Sequence, residues 1–132
     1  MAYKVGMGMQ VDRAASALPQ TATTTYFTVA GGKIYMTGLI GEFTVGVGGA
    51  CNLDLLFTPT AGTPAAVAAA TAITAFIAGD IITITGFLTD TLLPAAHASC
   101  VRMFPGNNGL IFMPGALQFH TSTSVTGNWK WT

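Results

Sequence analysis

Between Tyr26 and Val47 the chain reads YFTVAGGKIYMTGLIGEFTVGV, two runs of β-branched and aromatic residues around Gly31-Gly32, charged only at Lys33 and Glu42. Residues of this kind favour a pleated, half-buried surface. Gly31-Gly32 takes positive φ at little steric cost and reads as a hairpin turn. After it, Ile34 and Met36 share one strand face, whereas beyond Gly38 the apolar register passes to Leu39, Phe43, Val45 and Val47. A slip of one residue turns every side chain over, so Gly38 marks a bulge or crossing point. Strands like these need neighbours, and the stretch holds no group poised to react.

The rest of the chain supplies those neighbours. Cys51, Leu53, Leu55 and Phe57 alternate with Asn52, Asp54, Leu56 and Thr58, which is a strand with one buried face. TPTAGTP over Thr58–Pro64 is a turn. Ala65–Ala78 has two local readings. Thr63 as N-cap, Pro64 at N1, Gly79 as C′ and abundant alanine favour a helix with Val67, Ala70, Ile73 and Phe76 on one stripe. Its threonines and Ile73 favour a strand through Val67, Ala69, Thr71 and Ile73. Ile81–Gly86 is a strand by composition, and Phe87–Ser99 is irregular around Pro94. Cys100–Phe104 and Leu110–Met113 read as short strands joined by a loop ending in Asn108-Gly109. Leu117 and Phe119 alternate with Gln118 and His120, and Trp129–Thr132 closes the chain. About eight short strands with Gly/Pro turns imply an all-β fold, a compact antiparallel sandwich or barrel of jelly-roll type. It spans residues 26–132. Residues 1–25 read as an extended N-terminal arm or a loosely packed first strand, with Thr21–Thr25 extended.

Charge content narrows the possible partners. Only 8% of residues are charged while 51% are hydrophobic, against about 25% charged in typical soluble domains. A compact monomer of 13.6 kDa exposes roughly 6,600 Å². Five basic and five acidic side chains cover little of that, so a homo-oligomer, a trimer, is expected. With zero net charge and no basic cluster, a nucleic-acid partner is not expected. No stretch has the length and apolarity of a membrane helix, so no membrane partner is expected either. Folding in a cytoplasm would leave Cys51 and Cys100 as buried thiols.

No constellation carries recognisable chemistry. His97 and His120 are isolated, and no HExxH or CxxC spacing suggests a metal. Glu42 and Asp54 fall on consecutive expected strands, where a glycosidase pair would need to face one cleft. There is no GxSxG elbow, and Gly46–Gly49 lacks the helix and lysine of a phosphate loop. The expectation is therefore no catalytic residue, no metal and no cofactor. Trp129 and Trp131 flank Lys130 on one strand face and suit a core, a subunit interface or a sugar-stacking platform.

Several stretches recur together in order: Arg13–Thr21 (RAASALPQT), Phe27–Gly32 (FTVAGG), Gly41–Val45 (GEFTV), Asn52–Leu55 (NLDL), Pro59–Thr63 (PTAGT), Ile84-Thr85-Gly86 and Trp129-Lys130-Trp131. In that order they resemble small virion structural proteins of tailed bacteriophages, of the capsid decoration, cement or head-fibre type. The resemblance implies an extended conformation over Ala65–Ile73. It also implies a non-catalytic protein on the capsid surface, assembled in the host cytoplasm, with the major capsid protein and further copies of itself as partners. The arm cannot build its own core and would make the attachment. Lys4, Met7, Met9, Arg13 and Leu18, with Trp129 and Trp131, are then the candidate capsid or subunit contacts. The alternative is a receptor- or carbohydrate-binding module of a head fibre or tail, with Trp129, Trp131 and Tyr35 exposed.

Overall fold

The computed structural model describes residues 8–85, 87–93 and 109–132. Among them are ten strands: β1 (Arg13–Ala17), β2 (Thr24–Val29), β3 (Ile34–Met36), β4 (Ile40–Val45), β5 (Asn52–Pro59), β6 (Ala65–Ala72), β7 (Ile81–Thr83), β8 (Leu110–Phe112), β9 (Gly115–Thr121) and β10 (Asn128–Trp131). They form two four-stranded sheets, β1-β10-β4-β7 and β2-β9-β5-β6, and a two-stranded ribbon, β3-β8. Every pairing is antiparallel.

The pairings are nested. β1 pairs β10, β2 pairs β9, β3 pairs β8, β4 pairs β7 and β5 pairs β6. The chain is thus one long hairpin, folded at the β5–β6 turn and rolled so that β10 also meets β4 and β9 also meets β5. This is jelly-roll winding, with β3 and β8 as an added ribbon.

Sequence alternation sets which face is inward. On β5, Leu53, Leu55 and Phe57 are buried, and on β9, Leu117, Phe119 and Thr121 are buried. The core lies between the sheets, where the Phe119 ring of β9 stacks on Trp131 of β10 at 4.3 Å between centroids. Trp129, Phe43, Phe76 and Tyr26 extend this aromatic layer. Burial of each such side chain stabilises the fold by about 1.5–3 kcal/mol. Gly41 pairs with Trp131, and a Cβ there would lie 2.7 Å from that indole, so the ring packs flat only because position 41 has none.

Some local expectations change and others hold. Gly31 and Gly32 do take positive φ, but β2 and β3 do not pair. The turn sends the chain from one sheet to the ribbon rather than closing a hairpin. Gly38 is a crossing point, since β3 belongs to the ribbon and β4 to the first sheet. Residues 13–25 are not arm: Arg13–Ala17 is a sheet strand, Leu18 is buried, and β2 begins at Thr24. Thr21 is not extended but left-handed (φ 69°), as is Gln20 (φ 56°). That conformation is costly for a β-branched residue. Thr21 N–H donates to Thr121 Oγ1, and the Gln20 amide donates to Val125 O, which holds the turn. Ala65–Ala72 is a strand, as the resemblance implied, and the helical alternative for that segment fails. The expected strand Cys100–Phe104, with His97 and Cys100, lies outside the described residues.

Candidate functional site

The sequence-predicted contacts separate into three groups. Trp129 and Trp131 are 0% and 1% exposed, and Leu18 is equally enclosed, so all three belong to the protomer's own core and are not surface contacts. Their apolar area is spent on the sandwich: inward positions of an edge-adjacent strand face the second sheet. Met9 and Arg13 are exposed, Arg13 at the start of β1. Lys4 and Met7 lie outside the described residues.

Two ion pairs lie on the sandwich's outer faces. Glu42 meets Lys130 at 2.9 Å on the outer face of the first sheet, and Asp54 meets His120 at 3.1 Å on the outer face of the second. Consecutive strands β4 and β5 lie in different sheets, so Glu42 and Asp54 occupy opposite sides of the sandwich and cannot share a cleft. Among the described residues no three His, Cys, Asp or Glu side chains come together. Cys51 is a free, buried thiol on the face of Leu53, Leu55 and Phe57.

Two surfaces stand out. The first is the outward face of the β3–β8 ribbon. Phe112 turns inward onto Phe57, with ring centroids 4.7 Å apart. Tyr35 and Ile111, paired across the ribbon, turn outward and are 55% and 69% exposed. Met113, two residues beyond Ile111, is 51% exposed. Apolar side chains thus oppose each other across the ribbon with about half or more of their surface uncovered. The signal was present in Leu110-Ile111-Phe112-Met113, which is apolar on both strand faces, whereas a ribbon of two strands can bury only one.

The second is a groove of about 410 Å³ along one side of the sandwich, between edge strands β1 and β2. Ala14, Ala15 and Ala17 line one wall, Thr24 and Thr25 the other. Tyr26 closes the floor: its hydroxyl accepts from Trp129 Nε1 at 2.6 Å and donates to Ala17 O at 3.2 Å. That clasp ties the two sheets together at the groove. Nothing in the sequence pointed to it, because it depends on which strands end each sheet.

No family model, curated protein or solved structure matches the chain.

Proposed function

We propose that the chain is a non-catalytic virion structural protein of a tailed bacteriophage, which decorates or cements the capsid as a homo-oligomer, a trimer. The observation that carries this reading is the ribbon face of Tyr35, Ile111 and Met113, an exposed apolar surface. Two further points support it. The ordered motifs from Arg13 to Trp131 resemble virion structural proteins, and jelly rolls are frequent in viral coats, a fold-level analogy.

The mechanism is mechanical. Each copy lays its ribbon face on the major capsid protein at a junction between capsid subunits. Binding only the assembled shell stabilises it by mass action, by about 4 kcal/mol per site at a thousandfold excess over Kd. An oligomer engaging several sites adds avidity. The receptor- or carbohydrate-binding alternative called for Trp129, Trp131 and Tyr35 at the surface; Tyr35 is there, but both tryptophans are enclosed in the core, which removes the paired platform.

Co-sedimentation with capsids stripped of the protein tests the reading. Wild-type protein is expected to pellet with them and raise the temperature at which they burst. The double variant Tyr35→Ser/Ile111→Asp, altered only at exposed positions, is expected to keep its own melting temperature and lose pelleting. Full binding by that variant, or none by wild type, contradicts the proposal.

A further inference from the structure

The two sides of the sandwich are finished differently. On the β6/β7 side the chain seals itself. Thr83 and Leu93 exchange backbone hydrogen bonds at 2.6 and 2.8 Å, Ala69 N–H donates to Asp90 O at 2.7 Å, and Leu92 is buried beneath. The segment Asp90–Leu93 thus bridges the edge strands of both sheets. On the β1/β2 side the Tyr26 hydroxyl donates to Ala17 O and the connection over residues 18–23 joins the sheets at one end, but no described segment is laid along both edges by backbone hydrogen bonds. β1 pairs only with β10 and β2 only with β9. All five residues of β1 are exposed, although alternate positions of a sandwich strand should be covered by the facing sheet. The groove is the space left open. β1 (RAASA) carries no proline or lysine within it to discourage strand pairing.

We propose that this groove receives the segment preceding β1 from a second copy of the chain, as an added strand centred on Met9 and Val11. Both residues are exposed, Met9 at 89%. They are two apart, so on an extended strand they point the same way. Strand addition needs that arrangement: main-chain hydrogen bonds give affinity, and alternate side chains enter the pocket. The alanine and threonine walls are shallow, which suits an unbranched methionine. The donor is a neighbour because the segment runs straight into β1, a wall of its own groove. Asp12 at the rim is held by Thr132 at the end of the chain. Folding back would place a tight turn at Gln10–Asp12, a stretch without glycine, and would consume Val11 in the turn. Each copy gives one segment and receives one, which a reciprocal pair or a closed ring satisfies without leaving a groove empty.

The test uses purified protein without capsids, so it stands apart from the decoration reading. In a Cys100→Ser background, Met9→Cys and Thr24→Cys are made in separate chains. When these are mixed and oxidised, a cross-linked dimer is expected on a non-reducing gel. Ala15→Arg, which fills the groove from an exposed position, is expected to lower its yield about tenfold, the effect of about 1.4 kcal/mol in affinity, and to leave the melting curve unchanged. Cross-linking only when both cysteines share a chain would put the segment in its own groove and overturn the proposal. So would no cross-link in either arrangement, or wild-type protein that remains monomeric at micromolar concentration.

Discussion

Trp129 and Trp131 are two residues apart and point into the same aromatic layer, yet their indole nitrogens differ. Trp129 Nε1 donates to the Tyr26 hydroxyl at 2.6 Å, whereas Trp131 Nε1 is buried without a hydrogen-bond partner. A net hydrogen bond contributes about 0.5–1.5 kcal/mol, and an orphaned buried donor costs about 1–3 kcal/mol. Both substitutions to Phe remove similar ring volume. Trp129→Phe is therefore expected to destabilise more than Trp131→Phe, by about 1–3 kcal/mol in urea unfolding. Equal losses would mean that the Tyr26 clasp contributes nothing. The tryptophans were legible in the sequence as large apolar groups on one strand face, but not their polar environment, since Tyr26 comes from the other sheet. Asp12 gives a second prediction at this scale. The Thr132 hydroxyl, then the Gln10 amide, hold its carboxyl below the ordinary 3.8. A depressed pKa means the interaction is fully present above 3.8 and is lost as pH falls through the lower, folded value. An NMR titration should place the Asp12 midpoint below 3.8, and Thr132→Val should move it upward. An unmoved midpoint would show that the Asp12–Thr132 contact does not form.

At the scale of elements, β9 is the strand that the second sheet depends on, because it pairs with both β2 and β5. Its first residue, Gly115, lies opposite Val29 on one side and Pro59 on the other. A Cβ there would sit 2.5 Å from Thr58 O and 2.7 Å from Pro59 Cα, both backbone atoms that cannot swing away. Gly115→Ala is expected to cost about 1–3 kcal/mol through overpacking. Gly8→Ala, with nothing within 4 Å, is expected to stay within about 0.5 kcal/mol of wild type. A harmless Gly115→Ala would mean that β5 and β9 are farther apart than described. Strands such as β5 and β9 were readable because burial of one face writes a period of two into the sequence. Their partners were not. Gly31-Gly32 looked like a hairpin because a turn residue reports local backbone freedom and says nothing of which strands meet afterwards. The same limit hid β1: Ala14, Ala15 and Ala17 carry no alternation, so their strand is visible only through its pairing with β10.

At the scale of the whole molecule, low charge and excess apolar residues led to the expectation of contacts beyond one chain. The fold accounts for much of that apolar content internally, in the tryptophan layer and the paired inner faces. Among the described residues, the large apolar side chains left outside are the ribbon's Ile34, Tyr35, Ile111 and Met113, Met9 and Val11 before β1, and Val45, Ile77, Phe87 and Leu88 elsewhere. Composition could foretell that some surface was left over, but not where, because position follows from the nesting of strand pairs. The ribbon face and the open edge beside β1 and β2 lie on different elements, so the two proposed contacts, one with a capsid and one between copies, do not compete for the same surface. For the proposed function, the most direct measurement is a reconstruction of tailed-phage particles assembled with this protein. The account predicts jelly-roll density over junctions between capsid subunits, with the β3–β8 ribbon facing the shell. Density confined to a tail or fibre tip, or a ribbon turned to solvent over an otherwise intact shell, would contradict it.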